Sequence, residues 1–229
     1  MVGGVSKSLL WDIVRGLESF FFPSRCRACG VDLDGPLRLL CRTCREEMTA
    51  PLPRDWREAC LLGGDGPRFA RRAYDGPAGE AVRLLKFGGK MRMAPLLAEA
   101  IWPLAAALKE HYRLDALVPV PLHPRRRRER RFNQAEEIGQ VVAAATGLEF
   151  RRRGLARVKY TRPQVELTGE ERLVNVRGAF AVREGFSGRG VLLLDDVITT
   201  GATVRECAAI LRNAGAGRVV ALAAAGAGS

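Results

Sequence analysis

The segment that most constrains the fold is residues 191–203, with the sequence VLLLDDVITTGAT. Its first part, Val191–Leu194, is entirely apolar, as in a strand buried on both faces of a parallel sheet. The carboxylates of Asp195 and Asp196 follow where that strand is expected to end. A loop of threonine and glycine comes next, and residues 204–213 have the pattern of a helix that ends before Gly215. The segment therefore predicts a β–loop–α unit with two acids at the carboxyl end of its strand.

This loop has the chemistry of a phosphate cradle. Backbone N–H groups at a helix start and the positive end of the helix dipole attract an anion, and threonine hydroxyls donate further hydrogen bonds. The two acids lie one step earlier, where carboxylates accept hydrogen bonds from sugar hydroxyls. Ligands of open parallel α/β sheets bind at these carboxyl ends of strands. The alternative is an ordinary β–loop–α turn with a well-capped helix.

The same segment resembles the phosphoribosyl pyrophosphate signature of type I phosphoribosyltransferases. The resemblance implies that Asp195 and Asp196 hold the 2′- and 3′-hydroxyls of the ribose. It also implies that the 5′-phosphate is wrapped by the loop residues Thr199, Thr200, Gly201, Ala202 and Thr203. The signature identifies a ligand more strongly than it identifies a reaction.

Four of the six cysteines form two Cys-x-x-Cys pairs, Cys26 with Cys29 and Cys41 with Cys44, separated by 11 residues. Each pair brings two thiolates to one metal ion, so two pairs predict a tetrahedral zinc site. Disulfides and a redox role are the alternatives. A reducing compartment argues against disulfides, and two matched pairs favour structural zinc. Because four thiolates close the coordination shell, the site is expected to be architectural.

The formal net charge of +12 indicates an anionic partner, either nucleic acid or a phosphorylated ligand. Residues 9–22 are rich in apolar side chains, but charged residues interrupt them and no small-residue cleavage site follows. We therefore expect neither a secretory signal nor a membrane span there. A helix packed on the main domain is predicted instead, with attachment to a membrane surface as the alternative. Without an export signal, the expected location is the cytoplasm.

We predict two parts: residues 1–60 with the N-terminal helix and a small zinc ribbon (metal site 26–44), and residues 61–229 with an α/β fold. Residues 50–66 contain prolines and a Gly-Gly pair, which is typical of a connection. Capping boxes are predicted at Asn133 with Glu136 and at Thr168 with Glu171. Helices are predicted at 78–87, 91–109 and 204–213, and strands at 114–120, 148–150, 180–182, 191–194 and 219–223. This alternation indicates a parallel sheet.

Further motifs resemble those of the ComF family of competence-associated proteins. They are Leu85-Lys86-Phe87, Val118–His123, Arg131–Gln134, and the positions Arg157, Thr161, Gln164, Leu167, Glu171, Arg172 and Asn175. With the cysteines and the phosphoribosyl signature, the resemblance covers nearly the whole chain. It implies a zinc ribbon joined to a type I phosphoribosyltransferase-like domain. It also implies a role in handling single-stranded DNA during natural transformation, together with other competence proteins.

The resemblance assigns two loops around the ligand. The turn at Leu122 and His123 would be the pyrophosphate loop, whose backbone faces the diphosphate and Mg²⁺, a hard cation that prefers such oxygens. Residues 157–164 would be the mobile loop over the site. His123 is either a diphosphate contact or a turn residue, and Lys86 is either a ligand contact or a surface lysine.

A run of arginines follows this turn: Arg125, Arg126, Arg127, Arg128, Arg130 and Arg131, interrupted only by Glu129. We expect a loop that binds single-stranded DNA electrostatically and without sequence preference. No aromatic residue alternates with the arginines, and Phe132 alone makes a poor stacking surface. The alternative is a solvated loop.

Two functions fit the predicted site. One is a binding protein for phosphoribosyl pyrophosphate, or a similar phosphate, and for single-stranded DNA. The other is an active phosphoribosyltransferase in which Mg²⁺ assists the leaving pyrophosphate. Oxopurine enzymes of this fold have an aspartate where this chain has Thr199, so Lys159, on the expected mobile loop, is the remaining catalytic candidate. No segment suggests a nucleobase pocket, and we therefore favour binding, with catalysis left open.

Overall fold

The computed structural model describes residues 25–33, 39–62, 66–161 and 175–226. The chain divides into two compact units, residues 1–48 and 49–229, so the division precedes the expected boundary between residues 60 and 61. Residues 50–66, which were predicted to form a connection, belong to the second unit, and Arg71 contacts the first two of them. Its Nη2 donates to the carbonyl oxygens of Ala50 and Pro51 at 2.5 and 2.9 Å. The predicted N-terminal helix, Gln164 and the capping box at Thr168 lie outside the described residues.

Helices and strands alternate along most of the second unit. Helix α1 (Arg42–Thr49) ends at the boundary between the units. The other described helices are α2 (Trp56–Ala59), α3 (Pro77–Lys86), α4 (Met93–Tyr112), α5 (Pro124–Arg130), α6 (Gln134–Thr146) and α7 (Ala202–Asn213). The described strands are β1 (Leu61–Leu62), β2 (Arg68–Ala73), β3 (Ala116–Pro119), β4 (Glu149–Phe150), β5 (Leu155–Arg157), β6 (Phe180–Val182), β7 (Gly190–Ile198) and β8 (Arg218–Gly226).

Six of these strands form one sheet in the order β1-β2-β8-β7-β3-β4. All its pairings are parallel except that of β1 with β2, which is antiparallel. Strands β5 and β6 form a separate antiparallel pair. The expected α/β fold with a mostly parallel sheet is confirmed, because helices connect the parallel strands as such pairing requires.

The central strand β7 is buried on both faces, as its run of apolar residues predicts. Val191 and Leu193 belong to a core cluster that includes Val204 and Leu211 of α7. The neighbouring Leu194 faces the other way and packs near Gly139 of α6, where an added Cβ would lie 3.2 Å from the leucine side chain. Helices thus cover both faces of the sheet and leave its carboxyl edge to the loops.

Candidate functional site

The carboxyl edge of the parallel sheet forms a cleft of about 420 Å³. Tyr74 reaches it from the end of β2, and the residues after β3 form another part of its wall. The second half of β7 and the following loop contribute a further wall. The lining residues are Tyr74, Lys86, Phe87, Val120, Pro121, Leu122, Arg126, Arg130, Asn133, Gln134, Ala135, Arg157, Asp195, Asp196, Val197, Thr199 and Thr203. The cleft therefore lies where ligands of open parallel sheets bind.

Asp195 and Asp196 lie within β7, which continues to Ile198 instead of ending at Leu194. Pairing with β3 stops at Leu194, whereas pairing with β8 continues through Ile198 and Gly226. One edge of β7 is thus released from β3 at the acids, which is how both carboxylates come to line the cleft.

A lysine from α3 meets the second acid. Lys86 Nζ lies 3.1 and 3.0 Å from the two carboxylate oxygens of Asp196, whose side chain is only 9% exposed. Because both residues line the cleft, Lys86 is part of the site. Of the two interpretations left open by the sequence, the pairing with Asp196 in the cleft wall favours a ligand contact over a surface lysine.

The first acid is half-buried at the cleft. Burial, followed by the neighbouring Asp196 carboxylate, raises the pKa of Asp195 to about 7, while Lys86 acts in the opposite direction. Asp195 Oδ1 also accepts a hydrogen bond from the backbone N–H of Asp196 at 2.8 Å. Two adjacent carboxylates, one of them poorly disposed to ionise, favour a ligand that donates hydrogen bonds to them.

The threonine-glycine loop encloses a narrow recess beside the cleft. Its lining includes Thr199, Thr200, Gly201, Ala202 and Thr203, the residues predicted to hold a phosphate. Residues Asp195, Val197, Thr199 and Thr203 line both the recess and the cleft. The two spaces are therefore adjacent parts of one site.

Two arginines support this loop from behind. Arg68 Nη1 and Arg205 Nη2 donate to the carbonyl oxygen of Thr200 at 3.4 and 3.3 Å. Gly201 precedes α7 with a φ of +75°, and an added Cβ would lie 1.7 Å from Arg68 Nη1. Glycine is needed here because the backbone is left-handed and a guanidinium occupies the side-chain space.

The turn predicted to be the pyrophosphate loop is only partly at the cleft. Pro121 and Leu122 line it, but His123 is not among the lining residues. Instead, His123 precedes α5 as its N-cap, and its Nδ1 accepts a hydrogen bond from the backbone N–H of Arg125 at 3.2 Å. His123 thus caps this turn in the structure, and its contact with the diphosphate stays a prediction.

The predicted capping box at Asn133 and Glu136 is wrong in its contacts, although α6 begins there. Asn133 makes no capping hydrogen bond, and its Nδ2 donates to the carbonyl of Val120 at 3.0 Å. Glu136, with a side chain only 4% exposed, accepts from Arg127 Nη1 and Nη2 at 2.7 and 3.2 Å. Arg152 also contacts the Glu136 carboxylate.

The arginine run forms the short helix α5, and the predicted loop is therefore wrong. Arg126 and Arg130 line the cleft, whereas Arg127 is paired with Glu136. Arg125 makes an exposed ion pair with Glu129 at 3.2 Å. The remaining arginines of the run, Arg128 and Arg131, are exposed. The six arginines therefore do not form a uniform surface.

The cysteines of the first unit form one cluster. All four Sγ atoms lie within 4.8 Å of one another, with Cys26 to Cys44 at 3.8 Å and Cys29 to Cys41 at 3.7 Å. A tetrahedral zinc ion with Zn–S bonds of about 2.3 Å requires sulfur separations of roughly 3.8 Å, so the cluster fits zinc.

Local backbone geometry prepares this cluster. Gly30 has a φ of +78°, and its N–H donates to the Cys26 carbonyl at 2.8 Å, which closes the turn around the first pair. The second pair is at the start of α1, with Cys44 inside the helix. Although burial acts to raise the pKa of Cys26, the backbone N–H of Cys41 and other hydrogen bonds lower it to about 6. A thiolate, the form that binds metal, is thus favoured at Cys26.

Known proteins with similar sequences carry names from DNA uptake and use. DNA utilization protein YhgH of Salmonella typhi is 29% identical over 199 residues, which cover 86% of this chain and 81% of that protein. Competence protein F of Haemophilus influenzae is 30% identical over 148 residues, or 62% of this chain and 65% of that one. YhgH of Escherichia coli K12 is 31% identical over 149 residues, or 64% and 66%. The chain is similar to ComF-type proteins over most of its length.

No protein-family model matches this chain. A structural match to the UMP synthase of Leishmania donovani has a TM-score of 0.33 and 18% identity. It covers 62% of this chain and 23% of the synthase. Because the TM-score is low, this match has no bearing on function.

Two polar cleft residues, Gln134 and Arg157, received no ligand contact in the sequence analysis, which placed Arg157 only in the expected mobile loop. Gln134 is 1% exposed and lines the cleft, and its Nε2 has no hydrogen-bond partner among the described residues. Arg157, at the end of β5, also lines the cleft, and its Nη2 donates to Thr161 Oγ1 at 2.5 Å. Both occur in motifs that resemble those of the ComF family, and this resemblance is the sequence signal that could have identified them as site residues. By contrast, Lys159 is exposed and is not among the lining residues.

Among the helices that the structure describes, none has the length and apolar character needed to cross a membrane.

Proposed function

We propose that this protein binds phosphoribosyl pyrophosphate, or a related phosphate, in the cleft and single-stranded DNA on its arginine-rich surface. In this proposal it acts in the cytoplasm in competence and DNA utilization, together with other competence proteins. The observation that carries the ligand assignment is the continuity of the acid pair with the threonine-glycine loop. Asp195, Val197, Thr199 and Thr203 line both the recess and the cleft, so one molecule can contact both.

The chemistry of each part matches one part of the ligand. The recess at the start of α7 suits the 5′-phosphate, because a helix N-terminus favours an anion. Asp195 and Asp196 would accept hydrogen bonds from the ribose hydroxyls. Lys86, Arg126, Arg130 and Arg157 line the cleft and would offset the negative charge of the diphosphate. The orphan Nε2 of Gln134 would donate to a ligand oxygen.

Mg²⁺ would accompany the diphosphate. Pro121 and Leu122 line the cleft, and carbonyl oxygens of this turn are hard donors of the kind that Mg²⁺ takes beside phosphate oxygens. When bound, the ion would supply charge neutralisation for the diphosphate. In the first unit, zinc would be held by Cys26, Cys29, Cys41 and Cys44, where it would order the chain around the cluster.

Single-stranded DNA is the second proposed ligand. The names of the relatives refer to DNA utilization and competence, and the chain has a formal net charge of +12. Arg128 and Arg131 are exposed, and Arg126 and Arg130 face the cleft. Such side chains would neutralise backbone phosphates and release counterions, so binding should weaken steeply with salt.

Isothermal titration of phosphoribosyl pyrophosphate with Mg²⁺ tests the ligand assignment. The double variant Asp195→Asn, Asp196→Asn should bind at least tenfold more weakly, because each charged hydrogen bond contributes about 1.5–3 kcal/mol. The matched control is Glu99→Gln, Glu110→Gln, which removes two exposed carboxylates from α4 and should leave the affinity unchanged. Equal affinity of the wild type and the aspartate variant would contradict the assignment.

A further inference from the structure

Two exposed aromatic rings lie against the arginine helix. We call Phe87, Arg125, Arg126, Arg130 and Tyr160 the rim. The guanidinium of Arg130 lies 5.4 Å from the centre of the Phe87 ring. Those of Arg125 and Arg126 lie 4.9 and 6.0 Å from the centre of the Tyr160 ring. No aromatic residue alternates with the arginines in the sequence, but two lie next to them in the structure. Phe87 directly follows α3, and Tyr160 lies in the segment after β5.

The rings of the rim remain open to solvent. Phe87 is 69% exposed and Tyr160 is 44% exposed, so neither serves the hydrophobic core. An exposed ring next to a guanidinium offers a flat apolar surface beside a positive charge. Proteins that bind single strands without sequence preference combine these two features: bases stack on the rings and cations contact the backbone phosphates.

The rim also borders the phosphoribosyl cleft. Phe87, Arg126 and Arg130 belong to the rim and line the cleft. Phe87 follows Lys86, which is paired with Asp196 inside the site. A strand stacked on Phe87 would therefore place its phosphates at the same arginines that face a diphosphate in the cleft. Two polyanions at these side chains would repel each other and compete for the same donors.

We propose that the rim binds single-stranded DNA by stacking bases on Phe87 and Tyr160, and that a strand bound there competes with phosphoribosyl pyrophosphate in the cleft. The competition rests on the proposed function, because it requires that the cleft bind this ligand. DNA binding is then not purely electrostatic, as the sequence alone suggested, and occupancy of the cleft controls whether the strand stays bound.

Fluorescence anisotropy with a labelled oligothymidine and the full-length protein tests the stacking. Phe87→Ala and Tyr160→Ala should each weaken binding by roughly 5- to 100-fold, the range for loss of one stacked base. The matched control is Trp102→Ala on α4, which removes another exposed aromatic side chain (43% exposed) outside the cleft lining. Circular dichroism verifies that each variant is folded. Equal affinity of folded Phe87→Ala, Tyr160→Ala and wild type would overturn the stacking.

Titration of phosphoribosyl pyrophosphate with Mg²⁺ into the preformed DNA complex tests the competition. The oligothymidine should be released, and its apparent Kd should rise in proportion to the ligand concentration once the cleft is saturated. Sodium chloride at the same ionic strength should release much less. If each ligand binds alone but the DNA affinity is unchanged at saturating phosphoribosyl pyrophosphate, the competition is overturned and the proposed function stands. If calorimetry shows no binding of phosphoribosyl pyrophosphate, both the ligand assignment and the competition are overturned.

Discussion

At the scale of single residues, Asp195 lowers the stability of the ligand-free protein near neutral pH and above. In the folded protein its pKa is about 7, above the ordinary aspartate value of 3.8, because burial and Asp196 disfavour the charged form. The folded state therefore binds this proton more tightly than the unfolded state does. The protonated Asp195 carboxyl therefore contributes fully to the stability of the folded state below pH 3.8. This contribution is lost as the pH rises to about 7 and the carboxyl ionises.

Asp195→Asn should therefore stabilise the ligand-free protein at pH 8 and have little effect at pH 4. The expected gain at pH 8 is about 1–2 kcal/mol, after allowance for solvent at the open cleft. The amide side chain of this variant would retain an oxygen that can accept the N–H of Asp196, so the change mainly removes charge. Urea unfolding at both pH values measures the change in the free energy of unfolding. Glu99→Gln, at an exposed carboxylate, is the control. A variant less stable than wild type at pH 8 would contradict this account.

At the scale of elements, helix α5 divides its arginines between support and binding. Glu136 is buried and accepts two hydrogen bonds from Arg127. Arg127→Gln should lower the free energy of unfolding by about 1–3 kcal/mol, because Arg152 alone then remains near a buried carboxylate. Arg128→Gln, at an exposed position of the same helix, is the matched variant and should change stability by less than about 0.5 kcal/mol.

The same pair of variants separates the two roles in DNA binding. Arg128→Gln should reduce the slope of log affinity against log salt by about 1, as expected for the loss of one phosphate contact. Arg127→Gln should leave that slope closer to the wild-type value, because its guanidinium is already paired. Identical salt slopes for Arg128→Gln and wild type would mean that this position does not contact the strand. Replacing all six arginines would also weaken ligand binding, since Arg126 and Arg130 line the cleft.

The cysteine cluster is expected to bind one zinc ion per chain on protein purified without chelator. Structural sites of this kind have an apparent binding free energy of about 10–16 kcal/mol. Cys41→Ser should lose the metal while the second unit, which has its own core, keeps its thermal unfolding transition. Cys60→Ser, at a buried cysteine outside the cluster, should keep the zinc. Elemental analysis showing much less than one zinc per chain in the wild type would refute the site.

Elements that are contiguous in the sequence were the ones that sequence reasoning could predict. The β7–loop–α7 unit and the cysteine pairs carry their chemistry within a few residues. Strand β2 was missed because its sequence, RFARRA, has three arginines, although Arg68 and Arg71 are buried with Phe69. From the sequence alone, a buried arginine cannot be distinguished from an exposed one, because the residues that contact it are distant in the sequence.

Contacts between distant residues also escaped prediction. Lys86 meets Asp196 across 110 positions of the sequence. Arg130 meets Phe87 because α3 and the helix after β3 both end at the carboxyl edge of the sheet. Strand order decides which residues meet at this edge, and hydrophobic periodicity alone does not determine strand order. The acid pair and the threonine-glycine loop were therefore predictable from the sequence, whereas the rim was not.

At the scale of the whole molecule, the described residues of the cleft support the proposed binding more directly than they support fast transfer. Lys159, the catalytic candidate from the sequence, is exposed and is not among the residues that line the cleft. The lysine that does line it, Lys86, is held by Asp196 at 3.0 Å. Positioning and acid–base assistance together account for many orders of magnitude in rate, so transfer without an assisting group at the reacting atoms should be slow.

We therefore expect the protein to bind phosphoribosyl pyrophosphate with Mg²⁺ but to transfer it to common purine and pyrimidine bases slowly or not at all. Pyrophosphate release across a panel of free bases measures this. A base that gives a kcat of about 1 s⁻¹ or more, abolished in Asp195→Asn, Asp196→Asn, would make the protein a working transferase. In that case Lys159→Ala and Lys86→Ala identify the assisting group, since only the lysine that acts on the reacting atoms should lower kcat far more than it raises KM.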